Sequence, residues 1–286
     1  MTIAAGLIIA RFVHFLALSI LLGAALFPFY GLAPSNGDAY QRLTWLRPLL
    51  FGAAVLSWAS GLLWFALTLP DADFGWVWLF RLLLATGLVL VILGKRATGR
   101  RLQAVALGSL ILLASIALTG NAGSNEGATG FQHRLADAVH LVASGVWIGA
   151  LVVFSRLVTV SVRHDREEHL RAVHDGLERF SGVGTLVVAS LTLSGMINPG
   201  FFSSSLDSAY GQLLLAKLVV FVMMLGLAGA NRYWLTPRLS TALESGGQLR
   251  TAIGALRASI LIETGLGVLV LGMVAWLGVL PPPAFQ

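Results

Sequence analysis

Apolar residues in this chain come in long runs, and polar residues collect in the gaps between them. The runs fall at about 4–30, 46–69, 77–94, 102–120, 134–158, 180–198, 212–230 and 258–280. A helix needs roughly 20 apolar residues to cross about 30 Å of hydrocarbon, and each run approaches or exceeds that length. The expected fold is therefore an all-α membrane protein with about eight transmembrane helices. The first run is read as a span and not as a cleaved leader. No basic stretch precedes it, and it is too long for the apolar part of a leader.

Composition agrees. Of 286 residues, 57% are hydrophobic and 11% charged, and the mean hydropathy is +0.83, far outside the soluble range. The absence of Cys excludes disulfides, thiolate metal sites and cysteine nucleophiles. A pI near 10.5 would suit a nucleic-acid partner. The basic residues, however, lie between apolar spans and form no single patch, so the expected partner is the lipid bilayer. No nucleophile elbow, phosphate loop, HExxH or dinucleotide fingerprint is present, and the reading is transporter-like, not enzymatic.

Charge also orients the spans. Fifteen of the nineteen Lys and Arg residues lie around the loops after spans one, three, five and seven, which the positive-inside rule makes cytoplasmic. The loops after spans two, four and six hold Asp71, Asp73, Glu126 and Asp207, with no basic residue before Arg134. Both termini are therefore expected on the outer side, the periplasm of a bacterium.

The spans also repeat. Val13, His14, Ala17, Gly23 and Ala24 of span one coincide with Val139, His140, Ala143, Gly149 and Ala150 of span five. Ser60-Gly61 matches Ser194-Gly195, and Gly75 with Arg81 matches Gly211 with Lys217. This predicts an internal duplication, residues 1–125 and 126–286, each half with four helices. An even number of spans per half implies a pseudo-two-fold axis along the membrane normal. His14 and His140 should then lie at equal depth on related helices, facing each other between the halves.

Ionisable groups at membrane depth point to function by default. His133, Asp137 and His140 recur at i, i+4 and i+7, on one helix face. An imidazole/carboxylate set suits divalent copper, zinc or iron. Asp137 can ligate, or fix the tautomer of a ligating His. Its counterpart in the repeat is Arg11, so an ion pair across the dyad is the competing reading. Met196 offers a thioether, although Met is more often packing filler. Arg81 and Lys217 are intramembrane cations that can bind ligand carboxylates, pair with Asp137, or snorkel to the headgroups. Glu263 is read as a partner of Arg257 near the cytoplasmic end. The segment 159–179, with His164, His169 and His174, is read as a charged surface helix. Trp64, Trp76, Trp78, Trp234 and Trp276 are read as interfacial anchors.

Several pieces, in order, carry a family likeness. They are Arg11-Phe-Val-His14, Asp137-Ala-Val-His140 through Trp147-Ile-Gly149, Arg179-Phe-Ser181, Ser194-Gly195, Leu215-Ala-Lys217 and Ala230-Asn231-Arg232. With them the chain resembles the CopD family of copper-resistance membrane proteins, most densely over about 133–235. The resemblance implies copper movement across the inner membrane, with a periplasmic carrier of the CopC type as donor. His133, Asp137 and His140 would capture the ion and pass it to His14. A second class of reading is a b-type haem protein, with His14 and His140 as axial ligands and Arg81 and Lys217 on the propionates. A third is a scaffold whose polar residues only join helices.

Overall fold

The computed structural model describes residues 3–31, 43–68, 75–94, 98–119, 127–164, 167–197, 207–245 and 248–281. Helices α1 (Ile3–Tyr30), α2 (Leu46–Thr68), α3 (Gly75–Leu93) and α4 (Gly99–Ser115) come first, the last extended by a 3-10 turn, Ile116–Leu118. They are followed by α5 (Gly127–His164), α6 (Glu167–Ile197) and α7 (Ala209–Ala230). A π-helical segment, Asn231–Leu235, joins α7 to α8 (Thr236–Ser245), and α9 (Leu249–Leu277) closes the chain. No strand occurs among the described residues. Eight helical stretches are long and apolar enough to cross a membrane, α7 to α8 counting as one. In lipid each backbone polar group must find a protein partner, and a helix satisfies its own within the segment, which is why long apolar runs become helices.

Local chemistry sets several ends. The Thr98 hydroxyl accepts from the N–H of Arg101 and starts α4, and Ser208 does the same for Gly211 and α7. Pro48 sits in the first turn of α2, where a helix has no use for its N–H. Asp71, Asp73, Glu126, Asn198, most of the loop 119–130 and the tail beyond Pro281 lie outside the described residues.

Helix α1 is the axle of the bundle and packs against α2, α4, α5 and α9. Its inward face is rich in small side chains, with Ala10, Ala17, Gly23, Ala24 and Ala25 all buried. The backbones of α1 and α5 touch at Gly23 and Gly149, where a Cβ on either residue would run into the other helix. Association in lipid lacks a hydrophobic drive, so close backbone approach through small residues does that work. Helices α6 and α7 are peripheral, and Leu186, Leu193 and Val222 turn outward as lipid-facing side chains.

Two expectations change. The charged stretch 159–179 is no separate surface helix. Helix α5 runs on to His164 and α6 begins at Glu167, so the charged stretch spans the end of one long helix and the start of the next. Leu170 and Val173 are buried there. Among the tryptophans, Trp76, Trp234 and Trp276 are exposed as expected of anchors, but Trp64 and Trp78 are buried. They belong to an aromatic cluster, their rings edge to face with centroids 5.4 Å apart, that packs between α1, α2 and α3.

The glycine contact gives a test. Gly149→Leu forces an overpacked side chain into the α1 backbone, and a loss of roughly 1–3 kcal/mol or more is expected. Gly226→Ala, where a Cβ meets open space, should be neutral. Thermal unfolding of the purified variants in detergent reads the difference.

Candidate metal centre

His14 is 5% exposed and turns from α1 into α2. Its Nδ1 lies 2.9 Å from the Ser57 carbonyl and 3.2 Å from Ser60 Oγ. A carbonyl can only accept, so Nδ1 carries the proton. The Ser60 hydroxyl donates its own proton to the Leu56 carbonyl at 2.6 Å and is left as an acceptor too. Neutral His14 therefore presents a lone pair at Nε2.

The same arrangement recurs between α5 and α6. His140 Nδ1 lies 3.0 Å from Ser194 Oγ, and that hydroxyl donates to the Ser190 carbonyl at 2.6 Å. His140 is thereby held in the same tautomer, with Nε2 unprotonated. No protein hydrogen bond reaches Nε2 of either ring among the described residues. Glycines make room for both imidazoles. A Cβ on Gly61 would lie 3.1 Å from His14 Cε1, and one on Gly195 would lie 3.7 Å from His140 Cε1. Each His also precedes its contact glycine, Gly23 or Gly149, by nine residues, about 13 Å of helix.

The surroundings differ sharply. His14 and Trp64 meet edge to face at 5.7 Å, and Trp64 meets Trp78 in the same way at 5.4 Å. Arg11 lies over the Trp64 ring at 4.8 Å and donates to the Gly278 carbonyl at 3.2 Å. The expected pairing of Arg11 with Asp137 is thus replaced by a carbonyl and two aromatic faces, because Trp64 and the end of α9 reach the guanidinium first. His140 is only half-buried. Asp137 stands one turn before it on α5, within electrostatic reach of Lys217 and Tyr210, and Lys217 is within such reach of His140.

The two imidazoles are directed into their own helix pairs, His14 toward α2 and His140 toward α6, and no ring contact joins them. Nor do His133, Asp137 and His140 form a compact three-donor group. Among the described residues only His174, Asp175 and Glu178 bring three donor atoms within 4.8 Å of one another. The reason is axial. Seven residues separate His133 from His140, about 10 Å of helix, so one face does not mean one point. Met196 is 55% exposed. It lies two residues past Ser194, about 200° round α6, and so turns away from His140.

Arg81, expected as a free cation for ligand carboxylates, is committed elsewhere. Its Nε donates to Ser115 Oγ at 2.9 Å, and its Nη2 donates to the Ser115 carbonyl and to Thr119 Oγ1. Trp78 covers it at 4.8 Å. A cation at the C-terminal carbonyls of α4 also meets the negative end of the helix dipole. Only Nη1 is left without a partner. Lys217, its counterpart in the sequence, makes no hydrogen bond among the described residues.

The sequence reading missed one polar cluster. Glu263 is 2% exposed at the midpoint of α9 and accepts from Trp147 Nε1 at 3.0 Å and Asn231 Nδ2 at 2.8 Å. It does not pair with Arg257, which lies six residues earlier and about 240° round the helix. The signal available was an acid inside an apolar run together with Asn231 at the end of another.

These features define a multi-pass membrane protein with imidazoles clamped inside its bundle. Comparison with known proteins gives the family. Residues 1–72 match the profile of the copper resistance protein D-like N-terminal domain, and residues 175–277 match that of copper resistance protein D. The chain is 33% identical to copper resistance protein D of Pseudomonas syringae pv. tomato, over 96% of each. It is 30% identical to inner membrane protein YebZ of Escherichia coli (strain K12), over 80% of this chain and 84% of that protein. It is 32% identical to copper transport protein CutJ of Bacillus subtilis (strain 168), over 60% of this chain and 29% of that protein. The chain belongs to the copper resistance protein D family. No solved structure matches it.

Arg81→Met should lower thermal stability by about 1–3 kcal/mol, because the acceptors at the end of α4 lose a charged donor. Lys217→Met should change it less. Parallel melting of both variants in detergent checks the contrast.

Proposed function

We propose that this protein carries copper ions across a bacterial inner membrane, taking them up from a periplasmic carrier of the CopC type. The observation that carries this reading is the pair of imidazole clamps. Each serine and its helix carbonyls hold a neutral imidazole by Nδ1 and leave Nε2 free as a donor to metal. Outer partners of this kind orient ligating histidines and raise their basicity. Copper is the substrate here and not a resident group. The family and the names of two relatives, a resistance and a transport protein, support the choice of metal. The donor set of imidazole and carboxylate suits the cupric ion better than the cuprous.

In this reading His140 and Asp137 form the entry site, with His133 two turns further out. The half-buried position of His140 gives access that the tryptophan-covered His14 lacks. His14 is a second, more buried ligand reached after entry. Met196, on the far face of α6, has no part in it. Both termini and the entry site face the periplasm, on the strength of the basic residues around the opposite loops. The chain is a duplication of two four-helix halves, 1–125 and 126–286. The recurrence of the Ser/Gly clamp at matched spacing supports it, as does the placing of one family match in each half.

Copper bound per purified protein tests this. His140→Ala should abolish binding at the entry site, while Ser194→Ala should weaken it roughly tenfold to a hundredfold without removing it. Equal copper in wild type and in the double variant His14→Ala/His140→Ala would remove the imidazoles from the pathway. A second outcome concerns acidity. A protonated imidazole cannot ligate, so binding should fall once the solution is acidic enough to protonate the rings. Equilibrium dialysis at several pH values reads it. A visible spectrum of the same sample tests the haem alternative, which requires a Soret band.

A further inference from the structure

The Glu263 cluster lies outside the proposed copper path. It is built from three elements. Trp147 comes from α5, Asn231 from the first residue of the π-helical segment, and Glu263 from the middle of α9. Glu263 is the one buried carboxylate among the described residues. No cation there pairs with it. Both its hydrogen-bond donors are neutral N–H groups.

Leaving a charge unpaired in a bundle core is costly, and such groups in membranes often carry protons. Asn231 adds a second sign. It is 8% exposed, and its Oδ1 has no partner. That oxygen is an acceptor waiting for a donor beside a carboxyl group. Amide N and O positions are interchangeable by rotation of the side chain. With Nδ2 toward the carboxyl group, Asn231 donates to ionised Glu263. With the amide turned, Oδ1 accepts the O–H of protonated Glu263, and Trp147 still donates to the other oxygen. The same residues thus satisfy the carboxyl group in both protonation states.

The backbone favours this placement. In the π turn the N–H of Thr236 reaches back to the Asn231 carbonyl, a five-residue span that re-aims the helix where Asn231 meets α9. Such turns concentrate at functional positions. One residue on from Glu263, Thr264 and Ser155 join their hydroxyls at 2.7 Å across the same α5–α9 seam. The ionisable groups of neighbouring helices are engaged away from the site. His14 turns to α2, Arg11 to the end of α9, His140 to Ser194, and Arg232 to Ser181 and Thr185 of α6. Arg156, Arg238 and Glu244 are exposed, and Lys217 lies within reach of Asp137.

We infer that Glu263, held between Trp147 and Asn231, is a proton-binding site in the middle of the membrane. The carboxylate takes a proton from water to become the neutral acid and returns it on release. The inference stands apart from the copper reading and is tested without copper.

Infrared difference spectra of the full-length protein in lipid nanodiscs, stepped in pH, read the carboxyl directly. Wild type should show a carboxylic-acid C=O band that grows as pH falls and shifts in D2O. The near-isosteric Glu263→Gln should lack it. Trp147→Phe and Asn231→Leu should keep the band but move it, since each removes one hydrogen bond to the group. Identical spectra in wild type and Glu263→Gln would overturn the proposal. So would a band that ignores pH wherever the protein stays folded. Loss of the band on adding sodium or potassium at fixed pH would make this a metal-cation site and overturn it as well.

Discussion

Everything in this bundle is registered to one contact, the meeting of two backbones at Gly23 and Gly149. Lipid tails are as apolar as leucine, so helices gain little by hiding apolar surface from them, and dense packing decides which helices associate. Only residues without a Cβ allow this approach. With α1 and α5 joined there, the rest of the chain is layered around them, α2 and α4 against α1, α6 against α5, and α9 against both. The contact also sets the depth of the two imidazoles, because each precedes its glycine by the same number of residues.

On this frame the two helix pairs solve the same problem with the same parts. A histidine on the first helix is gripped by a serine on the second, that serine is itself anchored to its helix carbonyl, and the glycine after it clears space for the ring. The result is an imidazole fixed in one tautomer. What the pairs do with it differs. Around His14, tryptophans and a stacked arginine exclude the solvent. Around His140, an aspartate and a lysine remain close, and the ring is partly open. His14 is buried and His140 is half-buried, so the two rings differ in their access to solvent.

The polar residues that are not near the imidazoles follow the same economy of the membrane interior. Arg81 is held by the carbonyl end of a helix and by hydroxyls instead of by an acid. Arg11 is held by a carbonyl and aromatic faces. Glu263 is held by two N–H groups. In each case the partner comes from another helix, so these groups tie α3 to α4, α1 to α9, and α9 to α5. They fix the bundle while leaving net charge inside it, and that residual charge is where chemistry can act.

Hydropathy alone determined the helices. Eight apolar runs were legible because a long uninterrupted apolar run in lipid satisfies its backbone polar groups by forming a helix. The candidate histidines were legible too, since two imidazoles at matched positions in apolar runs stand out against their surroundings. Side-chain direction was not. Whether His14 meets His140 or Ser60, whether Trp64 is an anchor or a core residue, and whether Glu263 pairs with Arg257 or Trp147 all depend on how each helix is rotated about its axis. Apolar residues lie on most faces of these helices, so hydropathy says little about which face turns inward. Only the packing of backbone on backbone at the glycines, and the hydrogen bonds that then come within reach, decided it.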